Sequence, residues 1–323
     1  MIRYAVAGGG SLGLLLAGKL ALAGCDVEIW TRSEEQSARI AAEGIALGDA
    51  SGTSFAVAGP VRAVPIARAA AAALPEGDAV VLLAVKQTAI GDELLSALAA
   101  ATPRGGAIVA FCNGIGHIER LADALPGRAL AAAVTTEAAL RTDGRTVLHT
   151  GRGSTFIGSA PMFDRLPPHD AEEPGRKSLI DLQNRLNLAG FETSLSNNMT
   201  ERVLRKLLIN AVINPLTSLL RVRNGELTAS PDRLATMRVL FDETVDILRL
   251  CGLETKEPLW EELLDVCSRT GRNRSSMLQD VLAGRRTEID ALNGAVCRLA
   301  ERLDKPAPRN ETVAALIRAL DSG

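Results

Sequence analysis

Lys206, Asn210 and Asn214 recur every fourth residue in ERVLRKLLINAVINPLTSLLRVRNGEL, residues 201–227. Steps of four turn a helical side chain by only ~40°, so the three groups share one slowly drifting stripe. Leu204, Leu207, Leu208, Ala211 and Val212 recur beside them at helical spacing and predict a core-facing side. A cation and two amides along an apolar face suit a small, anionic, oxygen-rich molecule. Taken alone, the same stripe is what an amphipathic helix shows to water. Pro215 removes a backbone donor and disfavours helical geometry at Asn214, so the helix is expected to kink or end there. Further on, SSMLQD contains Ser-x-x-Gln from Ser276 to Gln279, a capping box. The open amides at such a helix start would also suit a carboxylate. Glu288, in RTEID, is expected inside a helix over residues 286–302; alone it reads as a surface acid.

The elements that would present a cofactor to these groups lie in the first half. Residues 2–7 read as a buried strand, and Gly8-Gly9-Gly10-Ser11-Leu12-Gly13 fits GxGxxG. A helical run to Leu22 and a strand over residues 25–30 follow. Strand, glycine turn, helix and strand, in that order and length, form a dinucleotide site. The glycines let the backbone approach a pyrophosphate whose charge the helix N-terminus favours. An acid at the end of the second strand would bind the ribose of NAD. This chain instead has Thr31-Arg32-Ser33. Arg32 can pair with a 2′-phosphate and its neighbours can donate hydrogen bonds, so NADP is favoured over NAD. Glu28 is a complication, but it falls two residues short of the strand tip. Residues 79–85 (AVVLLAV) read as a doubly covered parallel strand ending at Lys86. Ligands bind beyond the carboxyl ends of such strands, which places Lys86 to reach phosphate or ribose. Residues 107–111 form the next strand, and Asn113 stands at its tip, where the glycines of CNGIG allow close backbone approach.

The remaining pattern assigns irregular β structure to residues 44–61, a short Ala-rich helix to 67–73, and strands to 129–134, 135–139 and 146–158. The proline-rich acidic stretch 161–174 reads as an exposed loop, 176–188 as helix and 191–195 as a last strand. After Asn198 the pattern is almost entirely helical, with a turn at RVRNGE. Helices are expected over residues 231–251, 258–271, 277–284, 286–302 and 311–320. The fold class is therefore α/β plus all-α. A Rossmann-type doubly wound sheet (residues 1–197) precedes a helical substrate domain (198–323), with the reaction cleft expected between them.

Composition narrows the function classes. A net charge of −2 gives no basic footprint for nucleic acid, and 3% aromatic residues give no stacking platform. Five scattered cysteines without a CxxC fit reduced thiols in the cytoplasm. The three histidines form no metal motif, so no metal is expected. Leu22-Ala23-Gly24-Cys25 resembles a lipoprotein signal end, but Lys19 and the glycines interrupt its apolar core. No membrane span is expected.

On these motifs the chain resembles the ketopantoate reductase (2-dehydropantoate 2-reductase) family over nearly its whole length. The carriers are GGGSLG, Lys86, CNGIG around Asn113, RKLLINAVINPLTSLL, NGEL at 224–227, SSMLQD, TEID and PAPRN at 306–310. The resemblance implies NADPH-dependent reduction of a small 2-keto acid by a monomer or homodimer. It matches Lys206 to the catalytic lysine, with Glu288 tied to it. It matches Asn113, Asn210, Asn214, Asn224 and Ser276 to substrate contacts. It matches Gly8, Gly9, Gly10, Ser11, Leu12, Gly13, Arg32, Lys86, Asn113, Ala139 and Glu288 to cofactor contacts. Asn113 is expected to bridge cofactor and substrate from the first domain. Glu137 in TTEAA departs from the pattern, since related chains often carry an uncharged residue or His there. The alternatives are a paralogue reducing another branched 2-keto acid or forming an opine-type product, and a non-catalytic NADP(H)-binding sensor.

Overall fold

A computed structural model describes residues 3–69, 79–164, 168–170 and 175–321. The expected Ala-rich helix beyond residue 69, and residues 165–167 and 171–174 of the proline-rich stretch, lie outside the described residues. The chain divides into two compact units. The first holds Met1–Cys112, His117–Met162 and Asp170–Met199; the second holds Asn113–Gly116, Phe163–His169 and Thr200–Gly323.

The first unit begins with β1 (Arg3–Ala7), α1 (Ser11–Leu22), β2 (Val27–Thr31) and α2 (Glu34–Glu43). β3 (Ile45–Gly48), β4 (Phe55–Ala58), β5 (Arg62–Pro65), α3 (Ile66–Ala69) and β6 (Ala79–Leu83) follow. Next come α4 (Asp92–Ala101), β7 (Ala107–Ala110), α5 (His117–Ala124), β8 (Ala129–Thr135), β9 (Ala138–Arg141), β10 (Thr146–Gly151) and β11 (Ser154–Ser159). Two short strands, β12 (Pro161–Met162) and β13 (His169–Asp170), precede α6 (Arg176–Leu188) and β14 (Glu192–Leu195).

The main sheet runs β14-β11-β8-β7-β6-β1-β2-β5. Its six parallel strands from β5 to β8 follow the doubly wound order in which the chain reverses between β1 and β6. Strands buried along their whole length, such as AVVLL, are what two covered faces demand. A second sheet, β4-β3-β10-β9, covers the other side of α1. α1 therefore lies between two sheets, and its leucines are buried almost all round rather than on one stripe. A Cβ at Gly18 would come within 3.0 Å of Ile45 and Leu47, so glycine permits this close approach.

The second unit is helical: α7 (Met199–Leu220), α8 (Pro231–Leu250), α9 (Leu259–Arg269), α10 (Ser276–Leu282), α11 (Asn293–Arg302) and α12 (Pro308–Asp321). Short 3-10 turns occupy Asn224–Thr228 and Ile289–Ala291. α7 is apolar and long enough to cross a membrane by length and composition alone. Its Leu204, Leu207, Leu208, Ala211 and Val212 are instead the centre of this unit's core.

Three expectations are corrected here. Of the two outcomes expected at Pro215, a kink or an end, the end is overturned: α7 runs on through Pro215 to Leu220. A proline at 215 leaves the Ala211 carbonyl without its helical donor. Asn293 Nδ2 takes that carbonyl at 2.8 Å. Asn293 is itself fixed by Asn310 Oδ1 at 3.0 Å, and Asn310 by Glu243 and Thr244 on α8. A buried polar network thus replaces the missing backbone bond. Second, the stretch after Pro161 is not all exposed loop. Phe163 is buried in the second unit's core and its carbonyl accepts from Arg302. Third, residues 286–288 are not helical, so Glu288 stands just before the 3-10 turn at Ile289.

Candidate functional site

The first unit places Gly8–Gly13 at the reversal point between β1 and β6. Gly8 has φ +129°, and a Cβ there would lie 2.5 Å from the Ala84 carbonyl oxygen. A Cβ at Gly13 would lie 1.8 Å from the Gly8 oxygen. Helix–strand packing therefore explains these two glycines. Gly10 is different. It is the N-cap of α1 with no side-chain cap, and a Cβ there would meet nothing within 4 Å. Nothing in the protein needs glycine at that position, whereas an approaching phosphate does. The loop therefore fits a dinucleotide.

The other first-unit positions surround this loop unequally. Arg32 is exposed at the end of β2. Thr31, expected to donate to a cofactor, is wholly buried and spends its hydroxyl on the Ser33 carbonyl (2.8 Å) and Ser37 (2.6 Å). Ser33 caps α2, accepting from Gln36 N at 3.2 Å. Glu28 is also committed, accepting from Trp30 Nε1 at 2.7 Å. Lys86 is half-buried just past β6. Ala139, on β9, packs against the first unit's core. Two residues along that strand is Arg141, which the sequence reading missed. Its Nη1 donates to the Gly9 carbonyl at 3.0 Å, and its backbone N donates to Ser11 Oγ at 3.1 Å. Gln36 Nε2 donates to the same Gly9 carbonyl at 2.8 Å. Neither residue lies near the glycine motif in sequence; β9 forms a local hairpin with β10, and the long-range pairing of β10 with β3, beside α1, brings Arg141 back to it. Glu137 turns into the first unit, with Oε2 2.5 Å from His149 Nε2 and only 2% of its side chain exposed. Burial pushes the nearby Lys19 ammonium below its ordinary pKa, while Glu137 opposes that shift.

The second unit collects Asn113, Lys206, Asn210, Asn214, Asn224, Ser276 and Glu288. Asn113 thus departs from its expected place in the first domain. Gly114 and Gly116 adopt φ of +74° and +100°, and Ile115 N donates to Ala291 O at 3.3 Å. These glycines allow a turn that carries Asn113 Nδ2 to within 3.2 Å of Glu288 Oε2. Glu288 is 8% exposed, far from the surface acid its sequence context suggests.

On α7, Lys206 and Asn210 are half-buried and Asn214 is 8% exposed. The side-chain amides of Asn210 and Asn214 have no hydrogen-bond partner among the described residues. Past Pro215, Thr217 and Ser218 return their hydroxyls to the Asn214 carbonyl at 2.9 and 2.7 Å. Thr217 also meets Ser275 Oγ at 2.7 Å, which ties the start of α10 to this turn of α7. Ser275, not Ser276, is the helix cap, accepting from Leu278 N at 3.1 Å. Ser276 is exposed at the first position of α10. Asn224 donates to Thr270 Oγ1 at 2.9 Å, and its own buried Oδ1 has no partner among the described residues.

Comparison with known proteins shows the family and the fold. Residues 4–162 match the family described as Ketopantoate reductase PanE/ApbA, and residues 198–321 match its C-terminal counterpart. A 2-dehydropantoate 2-reductase of Bacillus subtilis is 33% identical over 99% of this chain and 98% of its own length. The crystal structure of a PanE/ApbA family ketopantoate reductase from Ralstonia eutropha superposes with a TM-score of 0.84 at 25% identity, covering 99% of each chain. D-mandelate dehydrogenase, solved with NADH and anilino(oxo)acetate, shares the fold at 19% identity with a TM-score of 0.83, covering 99% of each chain. From its glycine loop to its asparagine-bearing helix, the chain belongs to the ketopantoate reductase family.

Proposed function

We propose that this protein is an NADPH-dependent 2-dehydropantoate 2-reductase, making pantoate for pantothenate and coenzyme A synthesis in the cytoplasm. The observation that carries the reading is on α7. Lys206, Asn210 and Asn214 follow one another there at helical spacing, and the two amides have no hydrogen-bond partner among the described residues.

Gly8, Gly9, Gly10, Ser11, Leu12 and Gly13, with Arg32, Lys86, Ala139, Asn113 and Glu288, would hold the cofactor. Arg141, beside the loop, adds positive charge where phosphate would bind. A reduced nicotinamide bound there supplies hydride to the C2 ketone. The work of the chain is to manage the charge that this creates. As the C=O π bond breaks, its oxygen becomes a strongly basic alkoxide. Lys206, as an ammonium, would stabilise that oxygen and give it a proton from Nζ. The neutral amine is then reprotonated from solvent. Glu288 would keep Lys206 charged and aimed. Asn210, Asn214, Asn224 and Ser276 would hold the substrate's hydroxyl and carboxylate oxygens.

The test is to follow reduced-nicotinamide absorbance on mixing purified protein, NADPH and 2-dehydropantoate, with NADH and Lys206→Ala in parallel. Oxidation should require NADPH, and the variant should lose about 10²- to 10⁴-fold in kcat while still binding NADPH. Full turnover by the variant removes Lys206 as the acid. No turnover by the unaltered protein removes this substrate.

A further inference from the structure

Glu288 is held from outside its own secondary structure. Residues 285–288 are neither helix nor strand, so no backbone ladder fixes the carboxylate's direction. The preceding residue supplies the hold. Thr287 is 2% exposed and presents two donors, and Asp321 Oδ2 accepts from both, from its N at 3.1 Å and its Oγ1 at 2.7 Å. On the other side of Glu288, Asp290 Oδ1 accepts from Arg318 Nε at 2.8 Å. That second pair is half exposed and contributes little. The last turn of α12 thus grips the chain on both sides of Glu288, and the more buried grip is the one through Asp321.

The position of Asp321 is unfavourable by local rules. It is the final residue of α12, where the helix dipole disfavours an anion. Broken local preferences concentrate where a site is being built. We propose that Asp321 and Thr287 are positioning residues for Glu288. Together they set the backbone from which its carboxylate reaches Asn113. The inference rests on the reading of Glu288 as part of the reductase site.

The experiment compares Asp321→Ala, Thr287→Val, Thr287→Ser, Glu288→Gln and the Asp321→Ala/Glu288→Gln double variant in the full chain. Readouts are NADPH-dependent reduction of 2-dehydropantoate and deuterium uptake over residues 286–292. Asp321→Ala and Thr287→Val should lower kcat/KM by about 10- to 100-fold and raise uptake in that segment. Thr287→Ser, which keeps both donors, should do neither. In the Glu288→Gln background Asp321→Ala should add less than about twofold, because its effect passes through Glu288. Multiplicative losses in the double variant, or normal kcat/KM in Thr287→Val, would overturn the proposal. Full activity in Glu288→Gln would instead overturn the reading of the site, and this proposal with it. If Asp321→Ala does not fold, Asp321→Asn and Thr287→Val carry the same measurements.

Discussion

Asn293 Nδ2 donates at 2.8 Å to the carbonyl of Ala211, the group that Pro215 leaves without a backbone donor. This one bond lets α7 continue past a proline and keep Asn214 and Thr217 in helical register. Asn293→Ala should therefore cost about 2 kcal/mol of stability, because it leaves a buried carbonyl unpaired. In a Pro215→Ala background the loss should shrink, since the restored amide can serve Ala211. Urea unfolding of the two single variants and the double variant measures the coupling. Equal losses in both backgrounds would mean that Asn293 does not substitute for the missing donor.

Gly10 and Gly13 should part company. Gly13→Ala drives a Cβ to 1.8 Å from the Gly8 oxygen and should destabilise the fold. Gly10→Ala meets nothing within 4 Å and should melt normally. It should still weaken NADPH binding by on the order of tenfold, about 1.4 kcal/mol, because the methyl would stand in the phosphate path. Melting curves and fluorescence titrations together separate the two cases.

Arg32 should discriminate between cofactors. Arg32→Ala should raise the Kd for NADPH about 10- to 100-fold, the worth of charge-assisted hydrogen bonds, and leave NADH binding unchanged. Equal weakening of both nucleotides would assign the 2′-phosphate to another residue.

His117 should make the fold acid-sensitive. Burial pushes its imidazole pKa down to about 4, and Gln87 Nε2 lies 2.9 Å from its Nδ1. As pH falls the unfolded chain, with an ordinary pKa of ~6.5, binds this proton first. The depressed folded pKa means the histidine's contribution is fully present above about pH 6.5 and is lost as pH falls through about 4, a change of about 3 kcal/mol. His117→Asn keeps an acceptor for Gln87 without the titration. Melting temperatures near pH 7 and near pH 4.5 should fall further for the unaltered protein than for the variant.

Much of the fold was legible because its signals are local. The glycine loop, the apolar strands and the 3.6-residue pattern of α7 each follow from neighbours in sequence. The Lys206–Asn210–Asn214 stripe was legible for the same reason. What was missed depends on distant partners. Pro215 was read by its local cost, and the compensating donor is Asn293, far along the chain. Ser276 was read as the cap from Ser-x-x-Gln, but Thr217 on another helix fixes Ser275 in that role. Thr31 looked free to meet a cofactor until α2 folded back and placed Ser37 against it. Glu288 looked like a surface acid because neither Asn113 nor Asp321 is near it in sequence.

The interleaving of the two units also sets an order of events during synthesis. Asn113 and Ile115 leave the ribosome while most of the second unit is unmade, yet Asn113 pairs with Glu288, 175 residues later. At elongation rates of about 5 to 20 residues per second that gap is about 9 to 35 s. Through it, Ile115 and Phe163 wait as uncovered apolar side chains for a core that α11 and α12 complete. A fragment begun at residue 198 would form its helices around a core lacking both side chains.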